Sequence, residues 1–168
     1  MKHTRRGALF TDLVLEIFRI NGRLLVAGDD MTRDLGLSSA RWQVLGAIEL
    51  AGEPLTVAGI ARRMGLTRQA VQRVANELAA AGFVAYHPNP NHKRAKLLAL
   101  TERGRRDYAR VAERQARWAN AMAADLGKGR LKRSAAMLRA MREMLDGHDR
   151  PGRDGKDGDE QGDLDQSV

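Results

Sequence analysis

Polar side chains that can hydrogen-bond to the edges of nucleic-acid bases recur on one face of a predicted helix. This helix follows Thr67, and its first acidic residue is Glu77. Arginine can donate two hydrogen bonds to guanine, and asparagine and glutamine can pair in the same bidentate way with adenine. Helical spacing turns these side chains away from the apolar face. Contacts with DNA bases are therefore predicted for Arg68, Gln69, Gln72, Arg73 and Asn76.

Two short helices, separated by the turn 65–67, are predicted to position this face. Thr56 and Thr67 are the expected N-caps, because a threonine hydroxyl can accept a hydrogen bond from a free amide of the first turn. Gly65 is the expected left-handed end of the first helix. The buried stripe of the second helix is predicted from its spacing to be Ala70, Val71, Val74 and Leu78. Two capped helices in this order predict a helix-turn-helix.

A pair of strand-like runs follows the second helix. Residues 82–87 begin with glycine and are rich in aromatic and β-branched side chains, and residues 95–100 are the predicted returning strand. The loop 88–94 holds two prolines and a Lys-Arg pair, so it is expected to form a stiff, basic projection that touches a phosphate backbone or enters a minor groove. Further DNA contacts are therefore predicted for Thr56, Thr67, Asn91, His92, Lys93 and Arg94.

Five segments carry a resemblance to a known family. They are Arg-Trp-Gln-Val-Leu at 41–45, Leu-Thr-Val-Ala-Gly-Ile-Ala at 55–61, Gly-Leu-Thr-Arg-Gln-Ala-Val at 65–71, Arg-Ala-Lys at 94–96 and Leu-Thr-Glu-Arg-Gly at 100–104. Together they closely resemble the MarR family of bacterial transcription regulators, over about residues 9–146. The Leu-Thr-x-x-Gly element is the more specific signal, since a helix-turn-helix alone identifies no single family. One departure is His92, which stands where the family wing usually carries an aspartate that braces the arginine two residues later.

The resemblance implies a mainly α fold, with a winged helix-turn-helix DNA-binding lobe and a helical dimerisation region built from N- and C-terminal helices. One domain is expected over residues 1–146, with its DNA-binding lobe at about 38–100. The dimerisation helices are expected at about 8–27, 102–126 and 130–145. The first of these has an apolar stripe too wide for one core, which is typical of a helix that packs on its own domain and on a second subunit.

Two segments are expected to lack regular structure. Residues 28–36 are predicted to be a loop, and residues 147–168 are predicted to be a disordered acidic tail because they are too polar to bury a core. The formal net charge of the chain is +8. Residues 146–168 contribute −5, so residues 1–145 carry a net charge of +13. Such a basic body favours a polyanionic partner.

The family resemblance also implies the function. It implies a homodimer that binds double-stranded DNA sequence-specifically at an inverted-repeat operator and acts as a ligand-responsive repressor. Family ligands are small, often aromatic molecules held between the dimer helices and the DNA-binding lobe. Phe18, Trp42 and Trp118 are the helical aromatic residues that could line such a cavity or belong to the core. The alternative is a winged-helix module that binds protein, or an architectural DNA-binding module, in either case without a ligand.

Other chemistries have little support in the residues. The chain has no cysteine, which excludes disulfides and thiolate redox sensing. His87 and His92 have no acidic neighbour, so no metal site is predicted, and no cofactor is predicted either. No phosphate loop or nucleophile-base pair points to an enzyme. No stretch approaches the roughly 18 apolar residues of a membrane span, and no signal peptide is recognisable, so a cytoplasmic protein without membrane partners is expected.

Overall fold

The structure is a computed structural model that describes residues 3–148. Its helices are α1 (Arg5–Thr32), α2 (Ser39–Glu49), α3 (Val57–Met64), α4 (Arg68–Ala80), α5 (Glu102–Ala123) and α6 (Lys128–His148), with a 3-10 helix at Arg33–Leu35. Its strands are β1 (Leu55–Thr56), β2 (Val84–His87) and β3 (Leu97–Leu100). The chain divides after Ala119 into two compact units, the first of which holds everything from α1 to most of α5.

Local hydrogen bonds explain where α3 and α4 begin and end. The hydroxyl of Thr56 accepts a hydrogen bond of 3.0 Å from an amide in the first turn of α3. Thr67 does the same for α4 at 3.2 Å. Gly65 ends α3 in the left-handed region, with a φ of 64°. The predicted caps and the turn of the helix-turn-helix are therefore confirmed.

The three strands form a small antiparallel sheet in the order β1-β3-β2. Tyr86 of β2 lies opposite Leu98 of β3, and Leu98 also pairs with Leu55 of β1. The sequence did not predict β1, because two residues are too few to display an alternating pattern. A helix-turn-helix followed by a β2–β3 wing confirms the predicted mainly α, winged fold.

One hydrophobic core joins α2, α3, α4 and the sheet. Its fully covered side chains include Leu45, Ile60, Val71, Leu78, Phe83 and Leu98. In α4 the buried positions are Val71, Val74, Ala75 and Leu78, a run at i, i+3, i+4 and i+7. The predicted burial of Ala70 is wrong: it is exposed, since it lies about 100° around the helix from Val71.

Helix α1 is longer than predicted at both ends, and the predicted loop at 28–36 is wrong over its first part. The chain stays helical to Thr32, because Gly28 packs so closely on α2 that a Cβ there would lie 2.5 Å from Ser39 Oγ. The buried hydroxyl of Thr32 lies 2.9 Å from the carbonyl oxygen of Gly28 and 3.0 Å from that of Leu37. Packing against α2 therefore keeps this stretch helical in spite of its glycine and two aspartates.

The Leu-Thr-x-x-Gly element at 100–104 joins the sheet to α5. Thr101 Oγ1 accepts a hydrogen bond of 3.0 Å from the amide of Gly104 and so caps the first turn of α5. The amide of Thr101 donates to the carbonyl of Phe83 at 3.0 Å. Gly104 approaches the same carbonyl so closely that a Cβ would lie 2.0 Å from its oxygen. Close backbone approach therefore accounts for this glycine.

The break between the last two helices falls earlier than predicted, since α5 ends at Ala123 and α6 already begins at Lys128. Helix α6 extends to His148, so the first two residues of the predicted tail are helical. The rest of that tail, 149–168, lies outside the described residues. No helix within residues 3–148 is long and apolar enough to cross a membrane.

Candidate nucleic-acid interface

Helix α4 presents most of the predicted base-contacting side chains on its outer face. Arg68, Gln69, Arg73 and Asn76 are exposed, and Gln72 is half-buried beside them. Arg68 and Gln69 make no side-chain hydrogen bond or ion pair with the described part of the chain. Both lie in the first turn, the part of the second helix that contacts bases in helix-turn-helix proteins. These two side chains are therefore free to meet a ligand.

Gln72 and Asn76 are tied to the wing by Tyr86. Gln72 Nε2 donates to Asn76 Oδ1 at 2.9 Å and to the hydroxyl of Tyr86 at 2.8 Å. The hydroxyl of Tyr86 in turn donates to Asn76 Oδ1 at 2.9 Å. The three polar ends form a closed triangle, which we call the Tyr86 triangle. These hydrogen bonds hold the side-chain amides of two predicted base-contacting residues in place.

Arg73 is paired with an acidic residue one turn further along α4. Its Nη1 lies 2.7 Å from Glu77 Oε1. Arg41 of α2 holds the other oxygen of Glu77 through Nε and Nη2, each at 3.2 Å. Glu77 thus links α4 to α2, while the side chain of Arg73 remains 71% exposed. Exposed ion pairs contribute little stability, so a DNA phosphate or base could replace Glu77 as the partner of Arg73 at small cost.

The connection between β2 and β3 folds into two successive turns. The amide of His92 donates to the carbonyl of Asn89, and the amide of Ala95 donates to the carbonyl of His92, each at 3.2 Å. The returning strand consequently begins at Leu97, and its predicted start at residue 95 is wrong. Arg94 has no ion pair within residues 3–148, so no carboxylate there replaces the bracing aspartate that family wings usually carry.

A groove of about 800 Å³ opens between α4 and the wing. Its lining includes the cationic side chains of Arg68, Arg94 and Lys96 together with His92, and it includes no acidic side chain. Thr56 and Ala58, at the junction of β1 and α3, also line the groove. Positive charges that converge in a concave surface attract anions, which makes the groove suited to a phosphate backbone.

The groove brings together five of the predicted DNA-contacting residues: Thr56, Arg68, Gln72, His92 and Arg94. The other six lie outside its lining, and all are exposed: Thr67, Gln69, Arg73, Asn76, Asn91 and Lys93. Both sets belong to the helix-turn-helix and the wing.

Three polar residues of the groove lining were missed by the sequence-based prediction: Tyr86, Asn89 and Lys96. A signal existed for Tyr86, because the strand period of two places it on the same side of β2 as the buried Val84. That side of β2 faces α4. Tyr86, two residues after the buried Val84, was therefore a candidate for contact with polar residues of α4. Lys96 had no comparable signal, since its position depends on the turns of the wing.

The aromatic residues predicted to line a ligand cavity are not brought together. Trp118 lines an open hollow of about 520 Å³ with Glu16, Arg19, Ile20, Arg23 and Leu24 of α1. Phe18 is 66% exposed and does not line this hollow, and neither does Trp42. The indole N–H of Trp42 is buried and has no acceptor within residues 3–148. Of the three, only Trp118 therefore contributes to this hollow.

The described part of the chain contains no candidate metal site. No group of three histidine, aspartate or glutamate side chains is placed there to hold an ion.

Comparison with known proteins places this interface in a family. A family model described as the MarR family matches residues 35–95, which include α2, α3, α4 and β2. An uncharacterized protein of Mycobacterium tuberculosis is 38% identical over 129 residues, which cover 77% of this chain and 89% of the relative.

Two solved structures share the fold. A mutant MarR from Escherichia coli, complexed with operator DNA, has a TM-score of 0.70 and 21% identity and covers 77% of this chain and 93% of its own. A MarR from Staphylococcus aureus, in complex with salicylate and kanamycin, has a TM-score of 0.69 and 17% identity and covers 84% of this chain and 95% of its own. The winged helix-turn-helix lobe, the matching family model and the 38% identical relative lead to one conclusion: the chain belongs to the MarR family of winged helix-turn-helix transcription regulators, which are DNA-binding proteins and not enzymes.

Proposed function

We propose that this regulator recognises double-stranded DNA sequence-specifically, as a homodimer on an inverted-repeat operator, and that it is a repressor released by a small aromatic ligand. The observation that carries the proposal is the acid-free groove between α4 and the wing, with Arg68, Arg94 and Lys96 in its lining. Its position beside the exposed first turn of α4 allows that helix to enter a major groove while the wing follows the backbone.

The roles within this interface follow from position and chemistry. Arg68 and Gln69 extend freely from the first turn of α4 and are assigned to base edges, together with Gln72, Arg73 and Asn76. The remaining predicted residues are assigned to phosphates and to positioning of the backbone: Thr56, Thr67, Asn91, His92, Lys93 and Arg94. Phosphate contacts supply most of the affinity and its salt dependence, and base contacts supply the preference for one sequence.

Exposed apolar side chains support the homodimer. Helix α1 exposes eight large ones: Leu9, Phe10, Leu15, Phe18, Ile20, Leu24, Leu25 and Val26. Helix α6 exposes Leu131, Met137, Leu138, Met144 and Leu145. Large apolar side chains exposed in this number on a helix are typical of an interaction site. A second copy related by a two-fold axis would cover them and would pair the two α4 helices for an inverted repeat.

The hollow beside Trp118 supports a ligand. It combines the indole ring of Trp118 with Ile20, Leu24 and two arginines. Arg19 already pairs with Glu16, which also lines the hollow, so Arg23 is the residue assigned to the carboxylate of a small aromatic acid. The likeness to a MarR in complex with salicylate points the same way. A ligand there would release DNA only if it binds the DNA-free arrangement of the dimer more tightly than the DNA-bound one. Titration with salicylate, followed by tryptophan fluorescence and by DNA release, tests this part.

The main test is fluorescence anisotropy of the purified chain against DNA from upstream of its own gene and against a scrambled duplex, over a salt series. We expect tighter binding to the upstream duplex by several kcal/mol, with two subunits per site. Equal and steeply salt-dependent binding to both duplexes would favour an architectural role. A lack of binding to either duplex at low salt would favour a protein-interaction module.

Two variants separate the assigned roles. Arg68→Ala should cost roughly 1–3 kcal/mol on the preferred duplex and relax the preference, whereas Lys93→Ala should weaken all duplexes alike and reduce the salt slope by about 1. Arg139→Ala, which removes the same side chain from α6, is the matched control and should leave both quantities unchanged. Equal weakening of all sequences by both interface variants would remove Arg68 from base recognition.

A further inference from the structure

The Tyr86 triangle changes what Gln72 and Asn76 can offer to a base. The amide nitrogen of Gln72 has two protons, and it donates to Asn76 Oδ1 at 2.9 Å and to the Tyr86 hydroxyl at 2.8 Å. Asn76 Oδ1 accepts from that nitrogen and from the hydroxyl. Both inward-facing atoms are therefore saturated.

Each amide has only one polar atom left for an outside partner. Gln72 retains Oε1, an acceptor, and Asn76 retains Nδ2, a donor, and neither atom has a hydrogen-bond partner within residues 3–148. A bidentate contact with adenine needs the oxygen and the nitrogen of the same amide. While the triangle is intact, neither residue can make the adenine contact for which its side chain is usually suited.

The outward pattern does not depend on which amide turns its nitrogen inward. Two inward oxygens would have to share the single hydroxyl proton, and two inward nitrogens would have no acceptor except the hydroxyl oxygen. A closed triangle therefore requires one inward nitrogen and one inward oxygen. In either orientation the pair presents one donor and one acceptor to the outside.

We propose that Tyr86 is a positioning residue for sequence recognition, because it joins Gln72 and Asn76 into a single unit that offers one acceptor and one donor. The acceptor matches the amino group of adenine or cytosine, and the donor matches N7 or O6 of guanine, N7 of adenine or O4 of thymine. Tyr86 thereby sets specificity from a strand, without contacting a base. The inference rests on the proposed sequence-specific function of α4.

The test is selection of a randomised duplex library by the full-length chain, followed by affinity measurements on single-base variants of the selected duplex. The variant Tyr86→Phe removes the hydroxyl and keeps the ring. We expect it to reduce discrimination about tenfold at one or two base pairs and to leave the salt slope unchanged, because no phosphate contact is lost. Tyr108→Phe, which makes the same change at the other tyrosine of the chain, should leave discrimination unchanged.

A second background separates positioning from a general structural effect. In the double variant Gln72→Ala/Asn76→Ala the triangle has no amides left, so adding Tyr86→Phe should change discrimination no further. Thermal unfolding of every variant checks that the lobe stays folded.

The outcomes keep the two proposals apart. If the unaltered chain selects no preferred sequence, the proposed function fails and the role of Tyr86 fails with it. If the unaltered chain selects a sequence and Tyr86→Phe discriminates equally well, only the role of Tyr86 is overturned. Uniform weakening on all duplexes, or an effect of the same size in the Gln72→Ala/Asn76→Ala background, overturns it too.

Discussion

The DNA-binding lobe and helix α1 differ in the solvent exposure of their apolar side chains. In the lobe, Ile60 and Leu78 are completely covered, whereas Leu9 and Phe18 of α1 are 64% and 66% exposed. Apolar burial stabilises a fold by about 25 cal/mol for each Å² removed from water, so the lobe gains this energy within one chain. Helix α1 can gain it only against another surface.

This difference separates folding from association. The lobe, from α2 through the wing to the start of α5, should owe its stability to contacts that do not depend on protein concentration. The apolar side chains of α1 should contribute when a second subunit covers them, and their contribution should therefore depend on concentration. Four substitutions test this comparison, from the largest expected effect to the smallest.

Truncation of the lobe core should have the largest effect. Leu78→Ala removes a fully buried side chain and should lower the free energy of unfolding by about 2–5 kcal/mol. Urea unfolding at two protein concentrations about a hundredfold apart should give the same loss at both. The control is Leu50→Ala, at a position 83% exposed, which should change stability by less than about 0.5 kcal/mol. Similar losses for both variants would contradict the burial argument.

Crowding at the joint between sheet and α5 should have the next largest effect. Gly104→Ala would place a Cβ 2.0 Å from the carbonyl oxygen of Phe83, and the backbone shift should cost about 1–3 kcal/mol. Thermal unfolding measures the loss. Gly147→Ala makes the same change in α6, where the added Cβ would have no packing neighbour within 4 Å among the described residues, and it should be neutral within about 0.5 kcal/mol. A neutral Gly104→Ala would mean that this backbone contact is adaptable.

Loss of an exposed ring from α1 should weaken association and leave the lobe intact. Phe18→Ala should cost roughly 1–2 kcal/mol for each ring that the dimer buries, which corresponds to about tenfold or more in the dissociation constant of the dimer. Sedimentation equilibrium over a dilution series measures that constant, with Leu50→Ala as the control. An unchanged constant would place Phe18 outside the subunit interface.

The smallest effect should come from an exposed ion pair between α5 and the 3-10 helix. Arg114 binds both carboxylate oxygens of Asp34, at 2.6 and 2.8 Å, and this hydrogen-bonded guanidinium lowers the pKa of Asp34 from its usual 3.8. Because the folded pKa is the lower one, the stabilisation is fully present above pH 3.8 and is lost as the pH falls through the folded pKa.

Asp34→Asn should therefore lower the unfolding temperature slightly at about pH 6, and the difference from the unaltered chain should shrink as the pH falls below 3.8. Asp30→Asn is the control, since the one partner of Asp30 within residues 3–148 is the exposed Arg33, one turn away. Its effect should be smaller still. A difference for Asp34→Asn that persists at low pH would show that charge is not the cause.

Much of this protein was decided by local sequence alone. Thr56, Thr67 and Gly65 specify the helix-turn-helix through hydrogen bonds and a left-handed turn that involve only near neighbours in the chain. The buried stripe of α4 follows from helical spacing in the same way, apart from the exchange of Ala70 for Ala75. Short-range chemistry of this kind is readable from one sequence, and so the fold and the exposure of most of the proposed interface residues could be predicted.

Tertiary structure decided the features that depend on distant partners. Residues Gly28–Thr32 are helical because α2 packs against Gly28, and β1 exists because it pairs with β3. The triangle of Tyr86, Gln72 and Asn76 forms because β2 lies beside α4, and it turns two independent amides into one unit with one free donor and one free acceptor. No pattern within α4 alone reveals that restriction, since the atom that imposes it belongs to another element.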